Sequence, residues 1–146
     1  MSEELKYGEL TQKIIGCAMK VHSKMKNGYN EVVYSRCLAI EFDKAGIKYQ
    51  KELEVPIYYD KIIVSKRRVD FMVEDKVVVE LKAITDLTNE NLAQGLNYLE
   101  CHQLEVGLLI NFGSKSLQFK RLINQHKLQP LNAVINPIQN PINPRS

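Results

Sequence analysis

The chain has 146 residues, of which 45% are hydrophobic and 25% charged, and its net charge is +3. This composition is typical of one globular domain, and a domain of about 150 residues buries roughly 68–70% of its unfolded surface without disulfides or a structural metal. No apolar run approaches the ~20 residues that cross a bilayer, and no signal-sequence layout is recognisable, so we expect a cytoplasmic protein without a membrane contact. The three cysteines are widely spaced, which argues against a disulfide framework or a zinc ribbon.

Positive charge is concentrated toward the C-terminus. From Val106 onward the chain carries +5 with no acidic residue, whereas the first 105 residues sum to −2. The basic residues of this segment are Lys115, Lys120, Arg121, Lys127 and Arg145. Such a segment can lie along nucleic-acid phosphates, although a surface that only confers solubility has the same composition.

Hydrophobic spacing predicts two helices in the first third of the chain. Apolar residues recur at helical intervals from Leu10 to Met25, and Asn27-Gly28 ends this helix. The second helix begins at Asn30, a good N-cap, and ends at Gly46, whose missing Cβ suits a left-handed position.

Alternating patterns predict strands in the middle of the chain. Residues 52–59 indicate a half-buried strand in which Pro56 favours an edge position. Asp60-Lys61 indicates a turn, 62–64 resume the strand pattern, and 68–73 with 77–83 indicate a hairpin.

The remaining elements complete a layered domain. Thr88 is placed to cap a third helix over 89–103, and 106–112 reads as a buried strand. Residues 116–123 favour a last strand, with a helix as the alternative. The order α-α-β-β-β-α-β-β predicts an α/β or α+β layered domain.

The sequence divides into a domain over residues 1–129 and a tail over 130–146. Four of the five prolines fall in the tail, and Asn-Pro recurs there, so neither a helix nor a central strand can continue. We expect an extended tail that is either disordered or laid over a protein partner.

The predicted hairpin carries the residues of greatest chemical interest. If it is centred on Asp75, Asp70 lies across from Glu80, since this register keeps the apolar residues together on one face. The exposed face then holds Asp70, Met72, Val78, Glu80 and Lys82, and the core face holds Val69, Phe71, Val73, Val77, Val79 and Leu81.

Two carboxylates directly opposite each other repel unless a cation lies between them. Lys82 points the same way, so an Asp/Glu/Lys ion cluster on a solvated face is one interpretation. The other is a divalent-metal site, because Asp70 and Glu80 supply the hard oxygen ligands that Mg²⁺ or Mn²⁺ prefers.

Asp70 followed by Glu80-Leu81-Lys82 across a hairpin resembles the catalytic core of the PD-(D/E)XK nuclease superfamily. The resemblance covers roughly residues 9–124 and implies an α/β nuclease-like core, with a central mixed sheet flanked by helices. It implies that Asp70, Glu80 and the carbonyl of Leu81 bind Mg²⁺ or Mn²⁺, and that Lys82 assists the attacking water.

Gly28, Glu31 and Tyr34 match the signature of the GxxExxY family, a group of small nuclease-like proteins. The resemblance implies that Glu31 completes the metal site and takes part in catalysis, and that Tyr34 contacts the substrate. Glu31 is also what the dipole of a helix N-terminus favours, and Tyr34 on the same face also suits simple packing.

Gln94 and Tyr98 resemble the Q-x-x-x-Y element of the exonuclease-like branch of the superfamily. The resemblance implies substrate binding beside the site, whereas the helical neighbour rule alone allows an ordinary helix flank. His22, a lone histidine on an apolar helix face, is interpreted as a residue of the core edge.

The resemblance therefore implies a metal-dependent nuclease that hydrolyses phosphodiester bonds, with DNA as the expected substrate and partner. One alternative is a non-catalytic module on a nuclease-like fold that binds nucleic acid or recruits a protein partner. Another is an enzyme that acts on RNA or on a small phosphodiester.

Overall fold

A computed structural model describes residues 6–125, so the predicted tail over 130–146 lies outside the described residues. The elements are α1 (Gly8–Met25), α2 (Glu31–Ala45), β1 (Tyr49–Tyr59), β2 (Ile62–Val73), β3 (Val77–Lys82), α3 (Asn89–Cys101), β4 (Val106–Asn111) and β5 (Gln118–Ile123). The predicted order is confirmed, and the last element is a strand. Between residues 6 and 125 no helix combines the length and apolar character needed to cross a membrane.

The predicted helix caps are present. Asn30 Oδ1 accepts a hydrogen bond from the Val33 N–H at 3.2 Å, and Gly46 is left-handed with φ 73°. At the start of α3, Thr88 and Asn91 form a reciprocal capping box, so two otherwise unpaired donors are satisfied. Local polar residues thus fix where α2 and α3 begin.

The five strands form one mixed sheet in the order β1-β2-β3-β4-β5. β3 and β4 are parallel, and the other neighbouring pairs are antiparallel. Pro56 lies on the edge strand β1, as predicted. A parallel pair requires a crossover connection, and α3 supplies it between β3 and β4.

Helices cover both faces of the sheet. The larger cluster of buried side chains joins α1 and α2 to one face, through residues such as Ile14, Leu38 and Phe71. A smaller cluster, here called the α3 cluster, joins α3 to the other face. Its buried members are Val69, Val78, Tyr98, Leu99, Leu109 and Leu122.

The predicted register of the β2–β3 hairpin is confirmed. Met72 lies opposite Val78 and Val73 opposite Val77, which centres the hairpin on Asp75. Glu74 and Asp75 both have positive φ, and Lys76 N–H donates to the Val73 carbonyl at 2.9 Å, so the turn is tight.

The expectation that the acidic face is solvated is wrong. Val78 is only 3% exposed and Met72 packs beside it in the α3 cluster. The reason is topological, since the crossover helix α3 must lie over one face of the sheet and covers the face that carries Glu80.

The placement of Val69 with Phe71 on one face is also wrong. Val69 belongs to the α3 cluster, whereas Phe71 belongs to the cluster beneath α1 and α2. Opposite this point on β1, Glu52 has a left-handed backbone with φ 58°. Simple alternation therefore breaks at Asp70.

Substitution of Val79 by Asp tests the core assignment. Val79 is fully buried between β2 and β4, so a charged side chain there would lack a partner, and we expect the domain to unfold. Circular dichroism and thermal melting provide the measurement. Val64→Asp is the matched control, because Val64 on β2 is 59% exposed and its substitution should leave the fold intact. A folded Val79→Asp protein would contradict the described packing.

Candidate catalytic site

Asp70 lies where the pairing between β2 and β3 stops. The regular pairing ends at Phe71 and Val79, and beyond it Asp70 Oδ2 accepts a hydrogen bond from the Leu81 N–H at 2.7 Å. A side chain thus replaces the backbone acceptor expected at this position of the ladder. The bond holds the Asp70 carboxylate against the strand that carries Glu80.

Glu80 presents a buried oxygen without a donor. Its side chain is only 18% exposed, and Oε2 has no hydrogen-bond partner. The guanidinium of Arg67 lies 3.5 Å from this oxygen, which makes an ion pair without hydrogen-bond geometry. Burial, followed by the charge of Asp70, raises the pKa of Glu80 to about 7, against the opposing effects of Arg67 and Lys82.

Electrostatic coupling joins four of the predicted site residues. Burial raises the pKa of Asp70, while the Leu81 N–H and the charge of Lys82 lower it. Partial burial and then Asp70 raise the pKa of Glu31, and Lys82 again opposes the shift. The structure therefore brings Glu31, Asp70, Glu80 and Lys82 into one charged neighbourhood.

The donor set is compatible with a small hard cation. A buried carboxylate oxygen without a donor and a second carboxylate beside it are the groups that a divalent ion would satisfy. Over residues 6–125, no group of three or more His, Cys, Asp or Glu side chains is arranged to hold an ion. The fit therefore rests on Asp70 and Glu80, and Glu31 stays a predicted ligand.

Arg67 is a residue of the site that the sequence reasoning missed. Its guanidinium carbon lies 4.6 Å from the ring centroid of Tyr98 and its nitrogen is near Glu80. Strand alternation counted back from Phe71 places Arg67 on the face beneath α1 and α2. The break in alternation at Asp70 brings Arg67 to the face beneath α3 instead. In the sequence, the run of basic residues over 66–68 was the only sign of a role for Arg67.

Tyr98 lies beside the acids, whereas Gln94 lies at the surface. Tyr98 is 4% exposed and its hydroxyl has no hydrogen-bond partner. Burial and the nearby charge of Glu80 raise the pKa of Tyr98 to about 12, although Arg67 opposes the shift. Gln94 lines a surface cavity together with Tyr98 and Arg67.

Tyr34 and His22 are both buried. The ring of Tyr34 stacks on Phe112 at 4.7 Å, and its hydroxyl donates to the Lys26 carbonyl. Tyr34 therefore holds the turn that precedes Glu31, which fits the packing alternative. His22 Nε2 lies 2.9 Å from the Ser114 carbonyl oxygen, and the interpretation of His22 as a core-edge residue is confirmed.

The basic C-terminal segment is described only in part. Lys115 and Lys120 are exposed, whereas two guanidinium nitrogens of Arg121 are buried without a hydrogen-bond partner. None of the three is among the charges that shift the pKa of Asp70 or Glu80. Lys127 and Arg145 lie outside the described residues.

Comparison with known proteins identifies the family. No curated protein sequence matches the chain significantly. A solved structure entitled "Crystal structure of SSO0001" shares 14% sequence identity, covers 93% of this chain and 89% of its own, and has a TM-score of 0.45. A likeness at this level supports no conclusion about function. The family model of the PD-(D/E)XK nuclease superfamily matches residues 8–122, and the chain therefore belongs to that superfamily.

Proposed function

We propose that this protein is a metal-dependent nuclease whose site is built from Asp70, Glu80 and Lys82. One observation carries the proposal, namely the buried Oε2 of Glu80, which lacks a donor although Asp70 and Lys82 lie within electrostatic range. A buried carboxylate oxygen is costly without a partner, and a bound cation would supply one. The superfamily makes phosphodiester hydrolysis the corresponding reaction.

The proposed ligands of Mg²⁺ or Mn²⁺ are Asp70, Glu80, the carbonyl of Leu81 and, from α2, Glu31. When bound, such an ion polarises a phosphoryl oxygen and lowers the pKa of a water. The chain contributes the placement of the ligands. The Leu81 N–H fixes Asp70, and the β2–β3 hairpin brings Glu80 beside it.

Lys82 is the proposed catalytic cation of the chain itself. It follows Glu80 by two residues on β3, and its charge acts on Asp70, Glu80 and Glu31. Negative charge grows on the nonbridging oxygens during phosphodiester hydrolysis, and an ammonium group fixed beside them stabilises it. The same group can orient the attacking water.

We also infer membership of the GxxExxY group, because its three motif residues together build one turn. Gly28 has φ 125°, a conformation that favours glycine, and Tyr34 holds the Lys26 carbonyl just before it. Glu31 then opens α2 next to Asp70. The motif thus serves to place Glu31.

DNA is the proposed substrate, by analogy with the superfamily. Parallel assays on single-stranded DNA, duplex DNA and RNA test this choice. We expect Mn²⁺-dependent cleavage of DNA, and cleavage confined to RNA would contradict it.

Metal binding is tested by calorimetric titration of Mn²⁺ into the purified protein. We expect saturable binding in the wild type and its loss in Asp70→Asn and Glu80→Gln, because each variant replaces a proposed carboxylate ligand with an amide. Glu90→Gln is the matched control, since Glu90 is exposed in the first turn of α3. Absence of wild-type binding at millimolar Mn²⁺ would contradict the metal site and favour a non-catalytic module.

Catalysis is tested by the rate of DNA cleavage. Glu80→Gln and Lys82→Ala should each lower turnover by roughly 100-fold or more, the scale of losing one group that stabilises the transition state, while circular dichroism shows that both variants stay folded. Lys13→Ala, an exposed lysine on α1, is the control and should keep full activity. Full turnover in either site variant would show that the assigned residue is not catalytic.

Protonation of Glu80 should make the stability of the metal-free protein depend on pH. The pKa is about 7 in the folded chain against an ordinary 4.5, so the folded state binds more protons between these values. The stability that Glu80 protonation contributes is thus fully present below pH 4.5 and is lost as the pH rises through 7. Glu80→Gln abolishes this pH dependence, because glutamine does not titrate. The free energy of unfolding of the variant, relative to that of the wild type, should therefore be higher at pH 8 than at pH 5, by about 3 kcal/mol at most.

Urea denaturation in the presence of a chelator measures this difference. Glu90→Gln should follow the wild type at both pH values. Parallel stability curves for wild type and Glu80→Gln would mean that Glu80 is not buried in the way described.

A further inference from the structure

A surface cavity of about 210 Å³ adjoins the acidic site on the side of α3. Its walls come from β1 and β2 and from residues between 94 and 102, which lie on α3 and at its C-terminal end. The residues that matter for its chemistry are Arg67, Gln94, Asn97, Tyr98 and His102. The volume is below the ~300 Å³ at which pockets for drug-sized ligands begin, so the cavity fits one small planar group.

Planar groups make up the inner wall of the cavity. The ring centroids of Tyr98 and His102 lie 4.6 Å apart at an interplanar angle of 50°, and the Arg67 guanidinium lies over the Tyr98 ring. Burial and then Arg67 lower the pKa of His102, which favours the neutral form of its imidazole. A neutral aromatic ring and a guanidinium plane are surfaces on which nucleobases stack.

Amide groups lie at the opening of the same cavity. Gln94 and Asn97 are both exposed and lie three residues apart on α3, so their side chains are neighbours. A carboxamide has both donors and an acceptor, which matches the hydrogen-bonding edge of a base. Because no carboxylate lines the cavity, it suits a neutral base.

Arg67 connects the cavity to the acids. It lines the cavity, lies over the Tyr98 ring and is 3.5 Å from Glu80 Oε2. A group bound in the cavity is thus separated from the acidic site by one side chain. This is the arrangement expected when a base and its own phosphate bind together.

We propose that this cavity binds one nucleobase of the nucleic-acid substrate, stacked on His102 and the Arg67–Tyr98 pair and hydrogen-bonded by Gln94 and Asn97. The inference rests on the proposed nuclease function, because it assigns the phosphate of the same nucleotide to the acidic site. His102 and Asn97 act in substrate binding and have no part in the chemical step.

Binding of mononucleotides without metal tests the cavity separately from catalysis. We expect deoxynucleoside 5′-monophosphates to bind the full chain at least tenfold more tightly than deoxyribose 5-phosphate or inorganic phosphate, since only the nucleotides carry a base. His102→Leu should remove most of this preference and His102→Phe should retain it, because an aromatic ring restores stacking. Asn97→Ala should weaken binding, and Asn89→Ala, exposed on the first turn of α3, should not.

Protection of Cys101 from alkylation gives a second measurement. Cys101 is exposed and lines the cavity, so a bound nucleotide should slow its reaction with a maleimide. The masses of the labelled peptides distinguish Cys101 from Cys37.

Binding that is equal for nucleotides and for deoxyribose 5-phosphate, or unchanged in both His102→Leu and Asn97→Ala, would overturn the proposal. Nucleotide binding without cleavage of either DNA or RNA would overturn only the nuclease function, whereas cleavage without base-dependent binding would overturn only the cavity.

Discussion

The hydrogen bond from the Leu81 N–H to the Asp70 carboxylate determines the geometry of the site. Regular pairing of β2 with β3 would give this N–H a backbone acceptor and would leave Asp70 free to rotate away from its like-charged neighbour. With the ladder ended at Phe71, the carboxylate becomes the acceptor. The backbone thereby holds two acids together against their repulsion, which two mobile side chains could not achieve.

The crossover helix between the parallel strands raises the free-energy cost of holding the two acids together. α3 must cover one face of the sheet, and it covers the face that carries Glu80, so the acid is removed from water. Had the face stayed solvated, Asp70, Glu80 and Lys82 would form an ordinary surface ion cluster of little consequence. Burial changes that, because an ionised carboxylate without a donor is unfavourable in a low-dielectric setting.

Much of the fold follows from local sequence rules, and the site follows from them only in part. The caps at Asn30 and Thr88 and the hairpin register depend on nearby residues, so the pattern predicted them. Burial of the acidic face depends on where α3, which follows β3 in the chain, comes to lie. The position of Arg67 depends on the break in alternation at Asp70, which no periodic pattern contains. Tertiary packing therefore decides what local periodicity leaves open.

Arg67 explains why Glu80 remains open to a further ligand. A guanidinium free to turn toward the carboxylate would form a bidentate pair and satisfy both oxygens. Placed over the Tyr98 ring, it stays 3.5 Å from Oε2 without hydrogen-bond geometry. It therefore offsets part of the charge of Glu80 and leaves the oxygen without a donor. A lysine at this position would lack the planar stacking surface that restrains the cation, so we expect it to approach Glu80 and close the site.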